Sequence, residues 1–589
     1  MNFFNNKQVA ALPNHLKQYV VEQHYEHYTP VDHAIWRYVM RQNYSYLKDV
    51  AYYPYIPGLK KAGLTIEKIP SLQEMNDALG QIGWGAVTVD GFIPPAAFME
   101  FQAYKVLVIA ADIRQIDHIE YTPAPDIIHE SAGHAPIIGE PRYADYLSYF
   151  GYIGSKAMYS HKDFELYEAI RHLSILKEMP DADPAEIAKA EKDLEFKQQN
   201  LGAPSEMALL SRLHWWTVEY GLIGTIDEPK IYGAGLLSSI GESASCMKPD
   251  VQKLWYAKDT INYSYDITKP QPQLFVTADF ENLIAVLEDF ANTMSFRVGG
   301  TYGLMKAIEC RNTCTAVYSS GLQVTGTFTD VILNEKDEAI YLKTTGPSAL
   351  SYNDTQLEGH HKEYHADGFS SPIGKLKDTE MSLEDFHIND LKNIGVEIGE
   401  PAYLEFESGI VVEGVLKSVI QEDQKLVLLS FTNCKVYDAK SGKVYFEPLW
   451  GIYDMAVGSK IVSVFCGAAD KDAFEPVAMV SDNKTYQVNY DNKTIRLHEL
   501  YRIVRKVREK QADVALLPSV WDSLKTEHTN DWLCAMEILE IFDHTGLHPE
   551  IAEDIRLFLK NKASSDPKLT KLINDGFSLI ANPVIDLVH

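Results

Sequence analysis

The chain of 589 residues carries 54 Lys and Arg against 82 Asp and Glu, a formal net charge of −28, and is 46% hydrophobic and 23% charged. This excludes wholesale disorder, calls for more than one core, and speaks against nucleic acid or an anionic membrane as partner, because both select basic surfaces. Six scattered cysteines, the lack of a charged-then-apolar leader and the lack of a bilayer-length apolar run predict a cytoplasmic protein in a reducing compartment.

In chain order, residues 14–47 read as two helices, the second opening at Thr29-Pro30. Helical periodicity recurs over 71–82, 126–134, 144–159, 164–177, 184–200 and 206–220, with strand-like runs at 85–89 and 105–110. The texture changes at Gly299-Gly300. From about Leu322 to Val488 the chain alternates β-branched and polar residues between turn signals. Within that block GLQVTGTFTDVI from Gly321 is echoed by GIVVEGVLKSVI from Gly409, the mark of a repeated strand–turn–strand unit. From Thr494 onward the pattern is helical again. The expected fold is therefore multidomain: a mainly α unit over 1–310, a β-rich unit over 311–493 and a helical segment over 494–589.

The chemistry concentrates in YTPAPDIIHESAGHAPII, from Tyr121. Pro125 and Asp126 fit a helix start, and Gly133 and Pro136 its end. His129, Glu130 and His134 lie inside. Five residues of α-helix leave the two imidazoles roughly 140° apart, unlike the one-face pair of HExxH zinc proteases. Both rings reach one ion only if the helix distorts or ends beside His134. A third donor candidate is Glu219 in SRLHWWTVEYGL, a carboxylate among aromatic residues that needs a cation or hydrogen-bond donors to compensate its burial. Two histidines and one carboxylate with open positions are the facial set of non-haem Fe(II) oxygenases.

These residues, with WWTVEYGL and YGAGLLSSIGES from Tyr232, resemble the pterin-dependent aromatic amino acid hydroxylases, of the bacterial kind with a long carboxy-terminal extension. Weaker similarity runs from about Trp36 to Thr293. The resemblance implies a catalytic domain of that family's type, Fe(II) on His129, His134 and Glu219, a tetrahydropterin and O2. It implies an aromatic amino acid as substrate, its carboxylate clamped by Arg114, in a pocket lined by Thr122, Pro123, Trp215 and Ser238. It further implies Phe98 and Glu130 beside the pterin, and Asp126 orienting a ligand ring. A homo-oligomer is compatible with it. The implied reaction is hydroxylation of L-phenylalanine to L-tyrosine, with tyrosine and tryptophan left open as preferred substrates.

Three features depart from the family pattern. A charged segment over about 160–205 lengthens the step from His134 to Glu219, and its second half opens with a helix-start signature at Asp183, predicting an inserted helical hairpin. Ser131-Ala132 replace bulkier residues, and His214 stands where a tyrosine is common. Two other readings stay open: an HExxGH zinc peptidase with Glu130 as general base, similar to the dipeptidyl peptidase III family, and a non-catalytic scaffold with a vestigial hydroxylase domain. Cys310 and Cys314 read as incidental thiols. Because every residue assigned to chemistry precedes Thr293, a chain ending near Asn312 is expected to keep its metal and some activity, with the remainder serving assembly or regulation.

Overall fold

Thr29 and Asp32 exchange side-chain and backbone hydrogen bonds in a capping box that starts the Pro30–Val50 helix, the central support of the amino-terminal unit. The structure is a computed structural model and describes residues 5–89, 93–120, 125–178, 183–265, 270–475 and 490–581. The helix expected before Thr29 is not formed as one piece. Asn14–Lys17 is a single helical turn, and Val20–Val21 instead pairs antiparallel with Val89 and Thr88. Two β-branched residues gain more as an edge strand on Gly85–Val89 than in a helix. Gly85–Val89 and Val106–Ala110 run parallel, and burial on both faces accounts for their continuous apolar runs.

A second small sheet went unread in the sequence: Pro229–Ile231, Leu222–Gly224, Gln273–Thr277 and Gln252–Trp255, in that spatial order. Its strands are too short for alternation to register. The predicted insertion is a helical hairpin, His161–Glu178 against Pro184–Gln199, joined through Leu173, Leu176 and Ala190.

Gly299 and Gly300, with φ of 59° and 56°, make the turn into the β-rich unit; Val462 lies so close to Gly299 that a Cβ there would sit 2.6 Å from its backbone. The helix Gly300–Cys310, expected to end the amino-terminal unit, packs instead on the sheet, with Leu304, Ala307 and Cys310 in the core formed by Cys314, Ala316 and Val464. Each copy of the sequence echo is the middle strand of a three-stranded antiparallel meander. One is Thr313–Tyr318, Leu322–Leu333 and Ala339–Tyr352; the other is Pro401–Glu405, Ile410–Glu422 and Lys425–Asp438. Gly321 and Gly409 both take left-handed turns before their strand, and Gly326 and Gly414 both sit at a register shift, where a bulge bends the strand. The β block predicted to reach Val488 closes with Ile461–Cys466, paired to Thr313–Tyr318; residues 476–489 lie outside the described ones.

The helices Asn492–Arg508, Leu517–Glu527, Leu533–Thr545, Pro549–Ser565 and Pro567–Ala581 form no separate unit. Leu500, Tyr501, Trp521, Leu539 and Ile573 are buried in one apolar core with Trp36, Leu47, Ile128 and Trp216. Arg37 and Arg41, on the Pro30–Val50 helix, are buried and pair with Glu540: Arg37 Nη2 to Oε1 at 2.8 Å, and Arg41 Nη1 to Oε2 at 2.6 Å. This packing argues against the expectation that a chain ending near Asn312 keeps its site. Such a cut opens the core, takes the carboxylate from Arg41 and leaves Arg37 with Glu67 alone.

Candidate metal centre

The distortion that two histidines five apart require is present, and it takes the form of a wider turn. Ile128–His134 is π-helical, so its hydrogen bonds close over five residues and place His129 and His134 on one side. Gly133 and Pro136 do not end the helix, which continues through Ala135–Ile138. Glu219 is delivered the same way, as the last residue of the π-helical turn Trp215–Glu219, where the Tyr220 amide donates to Trp215 O at 2.8 Å. Both donor segments are thus locally widened, as is common at functional sites.

The motif YGAGLLSS explains how the two turns meet. A Cβ on Gly133 would fall 2.6 Å from Ala234 O, one on Gly233 2.4 Å from Glu219 O, and one on Gly235 3.1 Å from the same oxygen. The Ala234–Leu237 turn is wedged between the two donor segments, and only glycine allows that approach. It also carries Ser238 to the His129 ring. Ser238 Oγ donates to Ala234 O at 2.8 Å, so it accepts from His129 Nδ1, 3.0 Å away. In the neutral ring that bond selects the tautomer with its proton on Nδ1 and its lone pair on Nε2.

His129 Nε2 then faces Glu219 Oε2 at 3.3 Å, and His134 Nε2 faces Glu219 Oε1 at 3.3 Å. Neither ring nitrogen of His134 has a hydrogen-bond partner, although the side chain is buried. An unprotonated ring nitrogen held against a carboxylate oxygen is repulsive unless a cation lies between them. The ligand atoms of all three side chains lie within 4.8 Å of one another. Two imidazoles and a carboxylate therefore fit a divalent first-row ion. Burial pushes the Glu219 carboxyl up; with both rings protonated the two histidines outweigh burial and hold it well below its ordinary range, the place a bound cation would take when the rings are neutral.

Arg114 and Asp126 form a buried bidentate pair, Nε to Oδ2 at 2.8 Å and Nη2 to Oδ1 at 2.9 Å; among the described residues Nη1 has one long contact, to Ile119 O at 3.5 Å. Burial raises the Asp126 carboxyl, yet the guanidinium and two backbone amides bring it below its usual value. One of those amides is that of His129, at 3.0 Å. Asp126 thus anchors the backbone of the ligand segment, while the ring is oriented by Ser238, not by Asp126.

Glu130 is buried beside His134, its Oε2 3.8 Å from His134 Nε2 and without a hydrogen bond; burial pushes it up to about 8. His214 is buried near the rings of Phe98 (6.0 Å) and Phe150 (5.3 Å), and burial lowers it to about 4. Phe98 is half-buried on the edge of this group. Trp215 is stacked between Tyr220 and Tyr265, each at 4.5 Å, so its edge rather than its face is free to line a pocket. Nothing in the run NYSYDITKP marks Tyr265 beforehand. Thr122 and Pro123 lie outside the described residues.

The profile described as biopterin-dependent aromatic amino acid hydroxylase matches residues 8–157 and 154–319. A phenylalanine-4-hydroxylase of Pseudomonas aeruginosa is 26% identical over 278 residues, covering 46% of this chain and 89% of that one. One from Chromobacterium violaceum is 27% identical over 294 residues, 48% of this chain and 84% of the other. The crystal structure of Chromobacterium violaceum phenylalanine hydroxylase with bound iron(III) and 7,8-dihydrobiopterin aligns at 25% identity and a TM-score of 0.37, over 47% of this chain and 88% of that one.

Proposed function

Because the chain belongs to the biopterin-dependent aromatic amino acid hydroxylases, we propose that it converts L-phenylalanine to L-tyrosine with Fe(II), a tetrahydropterin and O2. The observation that carries this reading is the cluster of His129, His134 and Glu219, with its histidine tautomer set by Ser238. Iron would be held by these three side chains and, when bound, would supply the O2 activation that closed-shell side chains cannot.

The protein's own share is positioning. Asp126 occupies one edge of the Arg114 fork, and the Nη1 edge receives the amino acid carboxylate, aligning the substrate ring toward the cluster. Trp215, held by Tyr220 and Tyr265, offers a rigid pocket edge. Phe98 supplies an aromatic face and Glu130 a carboxyl for the pterin. Glu130, with no partner for Oε2, has hydrogen-bonding capacity to give a ligand amine. His214 is neutral at physiological pH, so it adds no charge where the pterin docks.

The test is tyrosine formation from phenylalanine by the full chain loaded with Fe(II), given tetrahydropterin and O2. Replacing His129, His134 or Glu219 with Ala should abolish it together with iron retention. Arg114→Lys should raise KM while iron content stays near wild type. Hydroxylation of tyrosine or tryptophan alone would change the substrate and keep the reaction class. Zinc-dependent peptide hydrolysis with no ring hydroxylation would defeat the proposal.

A further inference from the structure

A second pair of histidines meets a carboxylate in the β-rich unit, among residues given no role above. His360 and His365 lie in the connection between the strands Thr355–Gln356 and Ser370–Pro372, and Asp454 lies on the strand Tyr453–Ala456. All three are buried, at 8%, 8% and 5% exposure. The connection is held in place by its backbone: the Leu350 amide donates to His360 O at 3.0 Å and the Ser348 amide to His365 O at 3.1 Å. Asp454 is set by Ser430, its cross-strand partner, whose hydroxyl donates to Oδ1 at 2.5 Å. The other oxygen, Oδ2, is turned toward the histidines.

His360 Nδ1 and His365 Nε2 are 3.2 Å apart, and Asp454 Oδ2 lies 3.9 Å from the first and 4.0 Å from the second. The two nitrogen–oxygen separations are too long for hydrogen bonds. A triangle with these three sides has a circumradius of about 2.2 Å, so one central point is at metal–ligand distance from all three atoms, given the 2.0–2.2 Å typical of zinc with nitrogen and oxygen. A hydrogen bond between the two rings could account for the shortest side alone. It would leave the buried Asp454 carboxylate facing both rings with only the Ser430 and Tyr364 hydroxyls beside it.

The geometry points to a second divalent-metal site in the β-rich unit, with His360 Nδ1, His365 Nε2 and Asp454 Oδ2 as ligands to a first-row ion such as Zn(II). Tyr364, whose hydroxyl faces Asp454, stands beside the site and can complete it. Donors this deeply buried make a closed site, and closed sites contribute folding energy. The ion pins the connection over 357–369 to the strand Tyr453–Ala456, joining the first meander's connection to the strand that follows the second. This inference is independent of the reading of the His129 cluster.

The test is metal stoichiometry of the full chain, stripped with chelator and reloaded with Zn(II) alone. Wild type should take up two equivalents, His129→Ala/His134→Ala one, and His360→Ala/His365→Ala one. Asp454→Asn preserves shape and should weaken the second equivalent tenfold or more, which keeps the test valid if the double variant misfolds by circular dichroism. A single equivalent in wild type that vanishes with His129→Ala/His134→Ala would overturn the proposal. So would a second equivalent that survives Asp454→Asn, or one lost with Cys310→Ser, since Cys310, Cys314 and Cys466 form another buried donor group among the described residues of this unit.

Discussion

Two regions follow the donor residues in the chain, and they relate to the catalytic core in opposite ways. Residues 490–581 lie farthest from the site in sequence, yet their helices share its apolar core and neutralise Arg37 and Arg41. Residues 300–475 are nearer in sequence but fill apolar cores dominated by their own side chains. They meet the amino-terminal unit at a seam: His15 between Glu100 and Asp472, Lys471 on Glu100, and Met158 against Cys314. Order along the chain does not measure integration. The apolar area shared between segments does.

The largest expected effect breaks or keeps that distinction outright. A chain ending at residue 489 should fail to give a folded amino-terminal unit, judged by a lost cooperative melt and lost iron retention. An unchanged melting temperature would make the tail an appendage. Next in size is Glu540→Ala, which leaves buried Arg41 without its carboxylate and Arg37 with Glu67 as its close one, and should cost about 3 kcal/mol in urea unfolding. Glu540→Gln should cost less, because its amide oxygen still accepts from a guanidinium.

Acid should act through the same contact. Burial raises Glu540, but Arg37 and Arg41 outweigh it and bring it down to about 2. A folded value below the unfolded one stabilises the native state above about pH 4.5. That contribution, on the order of 3 kcal/mol, is lost as pH falls toward 2. Glu540→Gln should flatten the unfolding free energy over this window; an identical acid slope would place the linkage elsewhere. The smallest effect belongs to the seam. Lys471→Ala removes one partner of Glu100 while His15 remains, and should cost about 1 kcal/mol. Iron content should not change. Loss of the metal in this variant would mean that the seam supports the site as the tail does.

Much of this was legible residue by residue. His129, His134 and Glu219 stand out because ionisable side chains in apolar runs demand compensation, and Asp183 announces the inserted hairpin through its capping chemistry. The paired Gly321 and Gly409 motifs mark equivalent strands because left-handed turns and bulges select glycine. These are local facts, and composition and spacing carry them. Other facts were settled only by the folded chain. The π-turns that align His129 with His134 depart from the 3.6-residue period, so an α-helical reading sets the rings apart. Ser238 reaches His129 because glycines let a third segment between two turns. His360 and His365 share the same five-residue spacing, but their sequence is polar and says nothing of Asp454 on a distant strand. The helices after residue 490 are plain in the sequence, whereas their partner, Arg37, is not. Periodicity reports which neighbours along a segment share a face. Which faces meet is decided by shape, burial and charge pairing across the whole fold.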